Sequence, residues 1–410
     1  MESHSYFLGR QQILDRQQNL AAYELLFRNS LDNRAEVTDN LTASATVINH
    51  AFAEFGLEKA LGTYPGFINA DETLLMSDLL EMLPRDKVVL ELLETIEITP
   101  AVVERCRSLK AKGFRLALDD CTQITETHHP VLELVDVVKV DILAISQDAL
   151  SDLARKLGNW QHLTLLAEKV DSREQFELCL SLGFHLFQGY YFAKPQVIEG
   201  KRLSHSELGL LKLLGQLMTD EEDLIIENTL KQYPSISFKL LRLANSAAFN
   251  TRDEIRTIGS ALRIIGRNQM RRWLQVLLYA NETGKDGARP SPLLVLAATR
   301  GTFMESLALL KGSKTFGENA FITGMLSLMD TLFGVPLEEI LEAIPLDTSI
   351  ISALKDQQGD LGKLLNLAIN LEQDNPESLE DCLRECQFLS LEAITRAEVH
   401  ALEWANNISV

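Results

Sequence analysis

The stretch LALDDC, residues 116–121, places an apolar run before two adjacent aspartates and a cysteine. Consecutive strand residues point to opposite faces, so an aspartate pair inside a regular strand would turn one charge toward the buried side. At the C-terminal lip of a parallel sheet or barrel, both carboxylates can face a metal ion or a polar pocket, and that lip is where such folds place their chemistry. An isolated Asp-Asp is more often a turn or a helix cap. Here the pair has company. The β-rich runs GFIN (66–69), VVLELL (88–93), FRLALDD (114–120), VDVVKVD (135–141), LTLLAEKV (163–170) and FHLFQGYYF (184–192) each carry a polar residue at or near the C-terminal end: Asn69, Glu91, Asp119 with Asp120, Lys139, Glu168 and Gln188.

An oxygen-rich set of this kind suits hard divalent cations, Mg²⁺ or Mn²⁺, whereas zinc would want histidine or cysteine. Two such ions held roughly 3.5–4 Å apart activate water and stabilise in-line attack on phosphorus. The aspartate pair is a natural bridge between them, and a lysine nearby would hold the attacking water or neutralise the developing charge. The residue types point to metal-dependent phosphoester hydrolysis.

The elements that must position these groups follow from hydrophobic rhythm. Between about residues 60 and 195 the β-rich runs alternate with helix-length segments, the signature of βα units around a parallel sheet or barrel. After Pro195 the rhythm changes, through PQVIEGKRLSHSE, and from 207 to 410 the leucine, alanine and isoleucine spacing is helical. In TIGSALRIIGRNQMRRWLQVLL (257–278), Ile258, Leu262 and Ile265 share a helix face before Gly266 interrupts it. The expected fold class is α/β plus all-α: a parallel βα sheet or barrel over about 60–195, followed by an all-helical half from 207 to 410.

The remaining composition narrows the class. The formal charge of −19 argues against sequence-independent nucleic-acid binding, which needs a broad basic face. No apolar run is long enough to span a bilayer and the N-terminus does not read as a signal peptide, so the expectation is a cytoplasmic protein with no membrane insertion. Five cysteines form no paired CxxC framework, and Cys382 and Cys386 read as buried residues on one helix face. Arg263, Arg267, Arg271 and Arg272 recur at helical spacing beside Trp273, as a solvated face or a partner surface.

The barrel half resembles the EAL domains, which hydrolyse or bind cyclic di-GMP. The resemblance spans residues 6 to about 197: YELLFR (23–28) with Glu24 and Arg28, FINAD with Asn69, LELLE with Glu91 and Glu94, ALDDC with the aspartate pair, VVKVD with Lys139, LAEKVD with Glu168, and FQGYYFAKP with Gln188. The resemblance implies that Glu24, Asn69, Glu91, Asp119, Asp120 and Glu168 hold Mg²⁺ or Mn²⁺ and that Lys139 and Glu168 serve catalysis. It also implies that Gln11, Arg28, Glu94 and Gln188 face the nucleotide. The sequence departs from the family pattern at Leu25, where alanine is usual, at Gln12 for a common proline, and at Asp171 for a second glutamate. It departs most in CTQITETHH (121–129), which replaces a glycine- and serine-rich loop of the FGTGYSS type and contains no glycine. This last departure implies binding of cyclic di-GMP or metal with weak or no hydrolysis; the alternative is an active phosphodiesterase producing pGpG.

The helical half resembles the HDOD domain. FKLLRLANSAAFN (238–250) carries Asn245 and Ser246 of its NSA signature, and Ile258, Ala261 and Gly266 match the following helix. Only His205 and His400 occur in this half and neither precedes an aspartate, so metal-dependent hydrolysis of the HD type is not expected there. Together the two resemblances imply a (β/α) TIM-like barrel of the EAL type over 1–197 followed by a helical HDOD domain over 198–410, the latter a protein-interaction module, with a homodimer among the expected assemblies and a role in the control of motility, pili or biofilm.

Overall fold

The computed structural model describes residues 7–28, 57–193, 203–246, 249, 255–280, 291–342, 344–373, 382–384, 386 and 388–408. Two compact units divide the chain, one of residues 1–193 with 366–410 and the other of 194–365.

Eight strands close a barrel in the first unit. They are β1 (Phe7–Asp15), β2 (Leu20–Arg28), β3 (Gly66–Ala70), β4 (Val88–Leu92), β5 (Arg115–Leu118), β6 (Val137–Asp141), β7 (Thr164–Glu168) and β8 (Leu186–Phe187). Strands β2 to β8 run parallel in sequence order, and β1 closes the barrel antiparallel to both β2 and β8. The βα rhythm predicts the six runs that become β3–β8, and it misses β1 and β2. These two form a hairpin, without the helix-length gap that marks a βα unit. Its turn is fixed by Asp15, whose Oδ1 accepts from the Gln17 and Asn19 amides at 2.9 and 2.8 Å, while Gln18 takes φ 62°. The last run, FHLFQGYYF, gives the ladder only Leu186–Phe187 before a 3₁₀ turn at Tyr190–Ala193.

Period-2 alternation decides what fills the barrel. Its lower interior is an apolar layer of Ile13, Ala22, Phe67, Val89, Ala117, Val137 and Leu166, with Leu186 packed against it. Two residues further toward the mouth on every strand stand Gln11, Glu24, Asn69, Glu91, Asp119, Lys139, Glu168 and Gln188. The outward faces of the same strands, including Leu25, Ile68, Leu90, Leu116, Val138, Leu165 and Phe187, join the larger core under the surrounding helices. Burial on both faces is why these strands read as nearly continuous apolar runs.

The C-terminal helix Leu391–Ile408 belongs to the barrel unit, although its rhythm groups it with the helical half in the sequence. The expected division at 197/198 lies outside the described residues. Arg10 of β1 donates through Nη1 to the Ala60 carbonyl (2.5 Å) and to Asn406 Oδ1 (3.1 Å), and Asn406 donates to the Lys59 carbonyl (2.6 Å). Leu402, 3% exposed, lies in the barrel's outer core, and Val399, three residues earlier on the same helix, is half-buried. Leu402→Ala is expected to destabilise the barrel by about 2–4 kcal/mol through lost burial and a residual cavity, read from the urea midpoint of barrel unfolding.

The second unit is helical throughout its described residues. Helix Ile258–Ile265 ends where expected, at Gly266 with φ 76°. Asn245 pairs its side chain with both the amide (2.7 Å) and the carbonyl (2.8 Å) of Ile255, which fastens the end of helix Pro234–Ala244 to the next segment. Cys382 and Cys386 are both buried, in the first unit. Among the described residues, no helix is long and apolar enough to cross a membrane.

Candidate active site at the barrel mouth

The polar layer above the apolar plug converges on one ammonium group. Lys139 Nζ lies 2.8 Å from Asp119 Oδ1, 2.9 Å from Glu91 Oε1, 2.9 Å from Glu168 Oε1 and 3.5 Å from Glu24 Oε1. Lys139 and Glu91 are 1% and 0% exposed, so these charges interact with little screening by water. Gln188 Nε2 donates to Glu24 Oε2 at 2.7 Å and to Gln11 Oε1 at 2.5 Å. Gln11, opposite Glu24 in the β1–β2 register, is thereby part of the ring.

Asp120 turns toward the same mouth because its backbone takes φ 43°, a left-handed conformation that aspartate tolerates better than most side chains. Carboxylate oxygens of Asp119, Asp120 and Glu168 all lie within 4.8 Å of one another. Glu94 stands outside the ring, exposed on the loop after β4, close enough for its charge to act on Asp120. The Arg28 side chain lies outside the described residues.

The glycine-free segment after Asp120 holds itself. Thr125 and His128 form a reciprocal cap on the 3₁₀ turn Glu126–His128, with the Thr125 amide donating to His128 Nδ1 at 3.2 Å. Among the described residues from 121 to 129, none needs a positive φ. The left-handed step falls on Asp120 instead.

Four carboxylates around one ammonium leave three uncompensated negative charges, and the site answers by retaining protons. Burial, then the charges of Glu24 and Asp119, push Glu91 well above the ordinary carboxyl range against the pull of Lys139. Burial likewise lifts Glu168 to about 8, Lys139 opposing and Asp119 and Glu24 adding. Burial and Asp119 raise Asp120. Burial alone would lower Lys139, but Glu91, Glu24, Glu168 and Asp119 outweigh it and hold the ammonium well above its usual range. Four further buried atoms, Asn69 Oδ1, Glu91 Oε2, Glu168 Oε2 and Gln188 Oε1, have no hydrogen-bond partner among the described residues. Three belong to expected metal ligands. Oxygen acceptors left orphaned around excess negative charge are what a hard divalent cation satisfies, so the residues present fit one.

Residues 19–195 match the EAL domain model and residues 209–337 the HDOD domain model. Over 407 residues the chain is 30% identical to the uncharacterized protein YuxH of Bacillus subtilis, covering 98% of each. The chain belongs to the EAL–HDOD family. The EAL–HDOD chain is also 29% identical over 409 residues to the cyclic di-GMP phosphodiesterase CdgJ of Vibrio cholerae, covering 99% of this chain and 94% of that one. Among solved structures it is similar to Klebsiella pneumoniae BlrP1 in a manganese and cyclic di-GMP complex, with 22% identity, 46% of this chain and 56% of that chain covered, and a TM-score of 0.39.

One mouth residue of the EAL barrel escapes the sequence reading. Asp141, 6% exposed, ends β6 two residues beyond Lys139, and its Oδ1 accepts from the Leu143 and Ala144 amides at 2.8 and 3.2 Å. Its Oδ2 lies 2.5 Å from Lys169 Nζ, the residue after Glu168, which itself takes φ 56°. The signal was present in the strand-end rule that found Lys139: in VVKVD the aspartate shares the lysine's face.

Proposed function

We propose that the EAL barrel hydrolyses cyclic di-GMP to pGpG with Mg²⁺ or Mn²⁺. The observation that carries this reading is the ring of carboxylates around Lys139 with its orphaned oxygens. The relationship to CdgJ across nearly the full chain supports it. The loop over 121–129 favours weak or absent turnover from its sequence, but Asp120 supplies the left-handed step without glycine, which leaves the aspartate pair aimed into the ring.

Glu24, Asn69, Glu91, Asp119, Asp120 and Glu168 would hold the ions. When bound, the metal supplies Lewis-acid polarisation of the phosphate and a water of lowered pKa. Lys139, held charged in the ring, donates to the attacking water or to a phosphoryl oxygen as negative charge builds there. Gln188, fixed by Glu24 and Gln11, orients the nucleotide at the rim. The helical unit, on this reading, presents a surface to a protein partner.

Incubating the full chain with cyclic di-GMP and Mn²⁺ and separating the products tests the proposal. Formation of pGpG that disappears in Asp119→Asn supports it. Saturable binding with no pGpG in any metal would instead make the barrel a receptor.

The retained protons make metal binding depend on pH. Glu168 rises from 4.5 to about 8 on folding, so between those values the metal-free folded state binds more protons than the unfolded one, and its stability falls as pH rises through that window. A metal ion must displace those protons. Mn²⁺ affinity is therefore expected to increase from about pH 6 to about pH 8, with roughly one or more protons released per ion. Titration calorimetry in buffers of different ionisation enthalpy measures that release; an affinity flat across the window would count against the ring as the metal site.

A further inference from the structure

The helical unit contains a cleft of about 210 Å³ that the barrel chemistry does not use. Three helices build it through their own periodicity. Helix Arg267–Ala280 turns Arg271, Arg272 and Gln275 into the cleft, Pro292–Leu309 contributes Glu305, and Lys314–Leu326 contributes its first residue together with Glu318 and Phe321.

Gln275 is 1% exposed, and neither its Nε2 nor its Oε1 has a hydrogen-bond partner among the described residues. A primary amide offers donors beside an acceptor, and native proteins rarely bury both unused. The wall beside it is flat and cationic. The Arg272 guanidinium lies 4.6 Å over the Phe321 ring centroid and is held there by an ion pair with Glu305. Such an arginine plane is a surface on which planar heterocycles stack.

The charges also favour an anion. Glu305 is engaged by Arg272, and Glu318 faces both Arg271 at 3.7 Å and Lys314 at 3.9 Å. Three cations against two carboxylates leave the cleft net positive in a chain of charge −19. Lys314 is 80% exposed at the rim and Arg271 20% exposed, where a phosphate would remain partly in water.

We propose that this cleft binds a nucleoside monophosphate, with the base edge on Gln275, the ring against Arg272, and the phosphate toward Arg271 and Lys314. The volume suits one base rather than a dinucleotide, and the site is separate in sequence and chemistry from the barrel ring. It goes beyond the function proposed for the barrel and does not depend on it.

Calorimetric titration of the full chain in EDTA with AMP, GMP, CMP and UMP in turn tests the proposal. At least one nucleotide should bind saturably with a Kd of about 1 mM or tighter. Gln275→Leu, nearly isosteric and relieved of an unpaired amide, should weaken that binding about fivefold or more, since a base-edge pair contributes that much discrimination. Arg271→Gln at the rim should weaken it by a smaller factor without disturbing the core. Glu24→Ala in the barrel should leave it unchanged. Absence of saturable binding by all four nucleotides would overturn the proposal, as would binding that survives Gln275→Leu, disappears in Glu24→Ala, or is matched in affinity by inorganic phosphate alone.

Discussion

Replacing Lys139 with methionine is expected to lower the unfolding free energy of the metal-free protein by about 3–5 kcal/mol, because removing one partner of a buried charge cluster leaves the others uncompensated. Here the others are four carboxylates, all within 3.5 Å of the missing ammonium. The penalty has a predictable pH dependence. Glu91 and Glu168 are lifted above their ordinary values even with Lys139 in place. Without it they will hold protons to still higher pH, so the variant's deficit is largest in alkaline solution and shrinks as acid neutralises the ring. Urea unfolding of both proteins in EDTA at about pH 8 and about pH 5 measures the difference. Added Mn²⁺ should recover part of the lost stability by supplying positive charge to the same carboxylates. On the function proposed above, turnover should not recover, because that reading makes Lys139 the donor to the reacting oxygens. A deficit that is equal at both pH values would mean that the ring charges are not coupled through Lys139.

The second large effect is expected at a residue with no side chain. Gly189 follows Gln188 and takes φ 150°, and a Cβ added there would stand 2.3 Å from both the amide nitrogen and the carbonyl oxygen of Val170. These are rigid backbone atoms already in use: the Val170 amide donates to the Gln188 carbonyl at 2.9 Å, and its carbonyl accepts from Tyr191 at 3.0 Å. Gly189→Ala must separate β8 from the end of β7, breaking both bonds and moving Gln188 out of reach of Glu24 and Gln11. A loss of about 3 kcal/mol or more in stability is expected from the clash and strain together. A displacement of about 1 Å at Gln188 is expected to reduce turnover by about a hundredfold. Gly183→Ala separates strain from contact, because Gly183 also has positive φ, 90°, but nothing lies within 4 Å of its Cβ position. It should cost only about 1 kcal/mol. Equal losses from the two variants, compared by thermal unfolding and pGpG formation, would refute the contact argument.

The six runs that become β3–β8 carry their facing pattern in the sequence, which gives Asn69, Glu91, Asp119, Lys139, Glu168 and Gln188 and passes over Asp141 and Gln11. Alternation with a period of two is a local property, so an apolar residue at the plug and a polar one two positions on can be read in each run, as in Val89 and Glu91 or Val137 and Lys139. The same local logic ended helix Ile258–Ile265 at Gly266 and placed Cys382 and Cys386 in a buried setting. Closure decided the rest. Which strand ends meet across a barrel depends on register around all eight strands, and no single run encodes it. Only closure brings Lys139 within reach of carboxylates from β2, β4, β5 and β7, and only burial there, with like charges crowded together, makes Glu91 and Glu168 keep their protons. Gln11 enters the ring through an antiparallel hairpin that the βα rhythm does not announce. Leu391–Ile408 joins the barrel unit because its apolar stripe finds partners far away in sequence. Local pattern fixes the face a side chain takes; long-range packing fixes its neighbours, and its charge state follows from them.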